Sequence, residues 1–369
     1  MATYAIGMND PKTIKKFSVA LAAETFQKSF WGKNFIGTSE SSIIQRLTDL
    51  EREAGDTMTV DLFNNLTGSG VSGDETLKGN EEAMSSATQQ MWIDQLRHGV
   101  SVGGRMSRKR SSHDVRLIAK KKLAIWWGRM FDEALFVYLA GTRGAETGDW
   151  LMAPSTVTAG TTKLYSNNIV TGYHASRVIP CSTTNTTIAT MDSGDVMTLA
   201  SLQSINYELK TMANPPTPLM IDGEESYIVI MHPKAEKDLR TETGEGGWAE
   251  IQKYSQKGQA AILRNSLGRV GKLVLYSHNK IPVGNDGGTE TPGEGDAICY
   301  NMLLGAQAGF LAHGNTGAGM HFDWHEEVDD RGNKPVIDTG SIFGVQRSIY
   351  DSVDFGAILI PSYHSASVS

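Results

Sequence analysis

Hydrophobic positions change period along this chain, and each change marks an element. Asp10 followed by Pro11 supplies an N-cap and first-turn pair, and Ile14, Phe17 and Leu21 then recur at helical spacing, which predicts an amphipathic helix over 10–29. A second helix is expected next. Ser42 and Gln45 have capping-box spacing, Ile43, Ile44, Leu47 and Leu50 form one apolar face, and Gly55 ends it. From Thr57 the period becomes two: Met58, Val60 and Leu62 alternate with Thr57, Thr59 and Asp61, the pattern of a half-buried strand.

A polar, Gly-rich stretch follows from Asn64 to Asn80, then EEAMSSATQQ, then a second extended arm predicted from Trp92 to Val102 with Leu96, His98, Val100 and Val102 on one face. Together these read as one hairpin-like loop of more than fifty residues, which is improbable inside a compact domain unless it is functional. The clearest helix signal comes after it. Ser112 or Asp114 can cap it, and Val115, Ile118, Leu123, Trp126, Met130, Ala134 and Val137 mark an apolar stripe that stops at Gly141. Its roughly 28 residues would span about 42 Å, a strut rather than a packing helix.

Residues 144–190 are rich in Thr, Ser and Asn with little periodicity. A helix is expected over 194–213 on Val196, Leu199, Leu202, Ile205 and Leu209, ended by NPPTP. An α/β pattern follows: strand Tyr227 to Met231, helix Pro233 to Arg240, strand Lys272 to Ser277. Short apolar runs at Ala297 to Leu304, Ser341 to Val345 and Phe355 to Ile360 complete the pass, and nothing repeats at a fixed period.

Composition narrows the class. The 369 residues carry 39 Gly but only 11 Pro and are 40% hydrophobic, which fits a folded, turn-rich chain. A net charge of −7 speaks against a dedicated nucleic-acid binder. Cys181 and Cys299 are isolated, so neither a disulfide framework nor a thiolate zinc site is expected. The apolar runs are too short to span a bilayer, and the first residues lack the pattern of a secretory signal, so the sequence reads as intracellular with no membrane partner.

Candidate chemistry is sparse. Gly68, Gly70 and Gly73 match GxGxxG, but DETLKGNEEAM follows where a dinucleotide site needs an apolar helix, so a loop tip is the better reading. His321 and His325 stand four apart in HFDWHEEVDD beside Asp323, Glu326, Glu327, Asp329 and Asp330; a metal pair on a helix and a solvated acidic rim or strand are the alternatives, the second preferred. No GxSxG elbow, Walker loop, CxxC or kinase signature occurs, and no catalytic residue, cofactor or metal is expected. Cys181 reads as a structural thiol, and the Asn65 and Asn185 sequons as silent.

The basic run of Arg105, Arg108, Lys109, Arg110, Arg116 and Lys120 to Lys122 has three readings. It can meet phosphate, it can be a solvated face, or it can pair between subunits with the acidic part of the same loop, where Asp74, Glu75, Glu81 and Glu82 lie around Lys78. Intersubunit pairing fits the surroundings best. A two-stranded arm is marginal alone in water, and burying it on a neighbour makes a heterologous contact of the kind that closes into rings.

The order of elements and the wording of several segments resemble the major capsid proteins of tailed bacteriophages, in particular the coat-protein family typified by the large virion-polymerase podophage. IGTSESSIIQRLTDLEREAGDTMTVDLFNNLTGSGVSGDETLKGNEEAM and MWIDQLRHGVSVGGRMSRKRSSHDVRLIAKKKLAIWWGRMFDEALFVYLAG carry the resemblance most strongly, joined by YIVIMHPKAEKDLR, LGRVGKLVLYSHNKIP and LLGAQAGFLAHG. Residues 144–190 and HFDWHEEVDD do not share it.

That resemblance implies an α+β fold shared by tailed-phage coats and the herpesvirus capsid floor. It divides the chain into an N-terminal arm (1–35), a helix leading to the loop (36–55), an extended loop (56–112), a peripheral domain (113–192 and 336–369) with a spine helix over 113–141, and an axial domain (193–335). Ile118, Leu123, Trp126 and Met130 are expected to pack the spine. It also implies a virion protein, assembled in the host cytoplasm, that forms pentameric and hexameric capsomers of an icosahedral head. Its partners would be itself, portal, scaffolding and decoration proteins, and non-specifically the packaged double-stranded DNA. The alternatives are a metal-dependent hydrolase using His321 and His325, or another ring-forming phage assembly protein.

Overall fold

The computed structural model describes residues 20–25, 27–51, 54–63, 66, 68, 70–73, 76–101, 103–110, 115–146, 149–153, 167–182, 186–221, 223–242, 266–285, 296–314, 321–329, 331 and 333–364. Residues 20–25 and 27–28 are helical, in line with the spacing over 10–29, whose earlier part lies outside the described residues. No described helix is long and apolar enough to cross a membrane.

The helix expected over 36–55 does not form. After the short helix Phe30–Asn34 (α1), the chain makes two parallel strands, Ile36–Gly37 (β1) and Ile44–Leu47 (β2), and one 3-10 turn at Asp49–Glu51. Ile43, Ile44 and Leu50 are buried and Leu47 half-buried, but Ile44–Leu47 pairs with Gly309–Ala312, more than 260 residues downstream. An eight-residue apolar pattern is equally compatible with strand and helix, and the distant ladder decides.

The strand predicted from Thr57 is present as Thr57–Phe63 (β3), but its partner is Ser86–Trp92 (β4), in register from Thr57 opposite Trp92 to Phe63 opposite Ser86. The expected return arm over 92–102 is instead the strand Asp94–Ser101 (β5), which pairs with a late strand and leaves the hairpin altogether. Alternation reveals a strand and its inner face; it carries no information on which strand lies alongside.

The basic segment Arg105–Arg110 is a short helix (α2), followed by the long helix Val115–Ala140 (α3), which ends at Gly141 with φ +74°. Its 26 residues give a rod of about 39 Å. Leu123 and Met130 are buried and Trp126 is half-buried, as expected, but Ile118 is 42% exposed and does not pack the spine. The buried stripe is rotated from the expected one and runs through Ala119, Leu123, Trp127, Met130 and Phe131. It meets β5 and its neighbour: Trp126 stacks on His98 with ring centres 4.0 Å apart, and Trp127 Nε1 donates to Thr339 Oγ1 at 2.8 Å. Residues 131–140 are buried on every side, because this half of the helix lies between two sheets.

In the second half, Leu199–Thr211 (α4) begins later than expected, at a capping box in which Thr198 Oγ1 accepts from Ser201 N and Ser201 Oγ accepts from Thr198 N. Leu219–Ile221 (β6), Glu224–Met231 (β7), Pro233–Thr241 (α5), Gly268–Val270 (β8) and Leu273–Ser277 (β9) follow, with β7 and β9 parallel as the α/β pattern predicts. The chain ends with Val283–Asn285 (β10), Asp296–Leu304 (β11), Gly309–His313 (β12), Asp323–Asp329 (β13), Lys334–Arg347 (β14), Ile349–Tyr350 (β15), Val353–Asp354 (β16) and Ala357–Tyr363 (β17).

One sheet runs β1-β2-β12-β14-β13, with β5 also on β14; the other runs β10-β11-β7-β9-β8, with β17 on β11 and β6 on β7. Two expectations are corrected here. β12 and β13, placed by sequence in the axial unit, belong to the sheet on the spine, and the final strand β17 does not rejoin that sheet but pairs with β11 along Ile298–Leu304. Buried strands such as Ile358–Ile360 are apolar on both faces, so their sequence names no partner.

Candidate assembly interface

The hairpin β3–β4 is fastened at its base by side chains that imitate backbone. Asn168, fully buried, accepts from Trp92 N at 2.9 Å and donates to Trp92 O at 2.8 Å and Val345 O at 3.2 Å. Gln89 donates to Arg347 O at 2.7 Å and accepts from Ile349 N at 2.8 Å. Arg347 in turn bonds Asp354 at 2.7 Å in a pair 1% exposed on each side, donates to the carbonyls of Leu139, Thr171 and Gly172, and stacks over Tyr173. It thereby satisfies a carbonyl at the C-terminus of α3 that has no partner within the helix. Gln89 was legible as the one polar residue on the inward face of SATQQMW; Asn168, Arg347 and Asp354 carried no sequence signal.

These contacts fix where the hairpin points. Trp92 lies at Gly344, Gln89 at Arg347 and Ile349, and Asp61 acts electrostatically on Tyr350, so advancing along the hairpin means advancing past the C-terminal end of β14. At the other end of β14, Asn333 accepts from Arg105 N at 3.0 Å and from Arg108 Nη2 at 3.1 Å through its side chain and main chain respectively. β14 has 14 residues. At about 3.3 Å each they separate the hairpin base from α2 by roughly 45 Å.

The two ends differ in character. Beyond the base the hairpin exposes Phe63 (61%), Leu66 (68%), Leu77 (60%) and Met84 (71%), with Lys78, Glu81 and Glu82 also exposed. Glu81 and Glu82 accept from Gly79 N and Gly68 N, each at 2.7 Å. The opposite end exposes Arg105, Lys109 and Arg110, with Arg108 half-buried. Asp74, Glu75 and the Arg116 side chain lie outside the described residues, as do Ser112, Asp114, Asp330 and the sequon asparagines Asn65 and Asn185. The structure thus sets the basic helix and the acidic tip far apart in one chain.

The helix α3 is bound to its surroundings by two buried carboxylates. Glu133 pairs with Lys280 at 2.9 Å and accepts from Leu151 N, while Asp132 accepts from Ser29 Oγ at 2.6 Å and from Phe30 N at 2.9 Å. Burial outweighs those donors and raises the Asp132 carboxyl from 3.8 to about 6. A group whose pKa is raised on folding favours the fold below its unfolded pKa and loses that contribution as pH climbs through the folded value. Relative to Asp132→Asn, the natural chain is expected to lose on the order of 3 kcal/mol between about pH 4 and 6, read from urea midpoints of the two chains. Parallel midpoints across that range would contradict this.

The remaining candidates have ordinary explanations. His325 lies on β13 and His321 two residues before it, so four residues of extended chain, about 13 Å, separate two side chains that a helix would bring together. His321 instead sits against His313, ring centres 4.2 Å apart, and burial pushes both imidazoles below their usual pKa. Among the described residues no three His, Cys, Asp or Glu are grouped as metal ligands. Gly70 and Gly73 take φ +68° and +67°, and the next regular element described is a strand, not a helix. Cys181 and Cys299 are buried, with thiols pushed up to about 12.

A rod-and-sheet body with an outstretched hairpin at one end and a basic surface at the other defines a shell-forming structural subunit. Comparison with known proteins agrees. The model of the phage capsid protein family matches residues 5–366, and the chain belongs to that family. The major capsid protein of Pseudomonas phage KPP25 is 28% identical over 344 residues, 88% of each chain. The capsid of Ralstonia phage GP4 superposes with a TM-score of 0.81 at 32% identity over the whole of both chains. That of Cyanophage Pam1 gives 0.71 at 18% identity over 100% of this chain and 96% of the other, a likeness of fold. The protein is a major capsid protein, a structural component of the virion and not an enzyme.

Proposed function

We propose that subunits join head to tail through the β3–β4 hairpin into pentameric and hexameric capsomers, and that these close an icosahedral head around double-stranded DNA. The observation that carries this reading is the roughly 45 Å between the hairpin base and α2. Complementary surfaces at opposite ends of one rigid body cannot meet within a chain, and a contact between unlike surfaces propagates until rotation closes the ring. The spine helix with its six-stranded sheet serves as the peripheral unit and the seven-stranded sheet as the axial one. Residues 1–35 act as an arm, and portal, scaffolding and decoration proteins engage the assembled edges during assembly in the host cytoplasm.

Electron microscopy of the purified, concentrated chain is expected to show curved shells; monomers alone, or closed rings of one fixed size, would overturn the reading. Within it, Arg105, Arg108, Lys109 and Arg110 meet the acidic tip (Asp74, Glu75, Glu81 and Glu82, around Lys78) of the next subunit. Reversing Arg105 and Lys109 to Glu, both exposed and so neutral to folding, should reduce shells at least tenfold with unchanged circular dichroism. Normal shell yield from that variant would refute the pairing.

A further inference from the structure

The six-stranded sheet carries two imidazoles that assembly leaves without a role. Arg46 on β2 lies opposite Leu311 on β12, and His313, two residues further along β12, lies opposite Phe343 on β14. Opposed residues share a face of a sheet, as do residues two apart on one strand, so all four stand on the side where Leu311 and Phe343 pack against the spine. His313 is fully buried beside Phe131 of α3, with ring centres 6.0 Å apart. His321, half-buried, lies against it at 4.2 Å, and its carbonyl accepts from Ser341 Oγ at 2.7 Å. The next residue, Phe322, is 1% exposed and meets Trp127 and Phe131 edge-on, at 5.2 and 6.0 Å, so the entry to β13 is seated on the middle of the spine helix.

The charges around this pair are lopsided. Arg46 acts on both rings, and the opposing group is Glu51 on the 3-10 turn, which pairs with Arg46 at 2.9 Å. From α3 and β14 the pair meets Phe131, Phe343 and Ser341, which do not titrate; Asp132 and Glu133, next to Phe131 in sequence, are engaged elsewhere by Ser29 and Lys280. Burial above all, with Arg46 adding to it, holds both imidazoles below their usual pKa. Two imidazolium ions in contact beside a guanidinium, facing one carboxylate, would be a buried excess of positive charge.

We infer that His313, His321 and Arg46 form an acid-operated latch: protonation of the two imidazoles drives them apart, lifts His321 and Phe322 off the spine, and frees the start of β13 while the rest of the sheet stays paired. The sign follows from linkage. A group whose pKa is lowered on seating stabilises the seated form above its free value, about 6.5, and that contribution is lost as pH falls through the lowered one. Opening therefore increases about tenfold per pH unit below about 6.5 for each imidazole that gains a proton on release.

Hydrogen exchange of the purified chain, read by mass spectrometry and corrected for the intrinsic effect of pH, tests the latch. From pH 7.5 to pH 5, exchange over 321–329 is expected to rise about tenfold or more, while 227–231 and 273–277 in the second sheet stay constant. His321→Asn, which cannot take up the proton, should abolish the rise. Arg46→Gln keeps both imidazoles and removes the fixed cation, so it should cut the rise by about twofold or more, and it decides the matter if the His321 variant does not fold. No rise over 321–329, a rise shared equally by the second sheet, or a rise unchanged in both variants overturns the latch.

Discussion

A chain in which residues 64–85 are replaced by Asn-Gly is expected to fold and to remain a monomer at concentrations where the natural chain forms shells. The join is sterically sound. Phe63 and Ser86 are directly opposed at the end of the β3–β4 ladder, and a two-residue turn closes such a pair with the twist that neighbouring strands require. The deletion removes Leu66, Leu77, Met84, Glu81 and Glu82, all of them exposed. It leaves Ala87, Gln89 and Met91, which hold the hairpin base to Phe310, Ala312 and Tyr350. Stable obligate interfaces bury on the order of 2,000 Å² or more, and among the described residues no other hairpin of that length protrudes from the two sheets. Sedimentation velocity separates the outcomes: a single slow species fits the expectation, whereas shells of normal size would remove the hairpin from the mechanism.

The largest effect on the fold itself is expected at Arg347. Replacing it by Met leaves the Asp354 carboxylate 1% exposed without its cation and removes the Arg347 donor from the carbonyls of Thr171 and Gly172, while the Leu139 carbonyl keeps the Tyr173 hydroxyl at 2.6 Å. Breaking a buried pair from one side typically costs about 3–5 kcal/mol, because the abandoned charge stays buried. Adding Asp354→Asn removes that charge, so the double variant should regain part of the loss and the two single effects should not add. Urea unfolding of the hairpin-deleted monomer, where assembly does not interfere, provides the measurement. A loss under about 1 kcal/mol for Arg347→Met would show that the pair is not what joins strand, helix end and hairpin base.

Legibility in the sequence followed the range of the interaction concerned. The alternation at Met58, Val60 and Leu62, the long helix ending at Gly141, the strand–helix–strand order around Pro233 and the exposed character of the loop tip are properties of consecutive residues, and each is found where the pattern put it. The stripe on the spine was drawn through Ile118 because an apolar side chain at helical spacing looks like core. The three-dimensional packing turns that residue outward, leaving it 42% exposed.

Periodicity and composition showed a folded, turn-rich chain with a long strut and an overlong loop, because they depend on the immediate neighbours of each residue, while the resemblance of several segments to phage coats implied the α+β fold and the family. Long-range pairing makes Ile44–Leu47 a strand and not a helix, takes 94–101 out of the hairpin, and carries the last strand to the second sheet. Those choices depend on partners tens to hundreds of residues away, and a strand's own pattern names its inner face but not its neighbour. The same holds for assembly. The charges of the loop are visible in sequence, whereas the roughly 45 Å that forbids their pairing within one chain exists only once β14 has been laid between them.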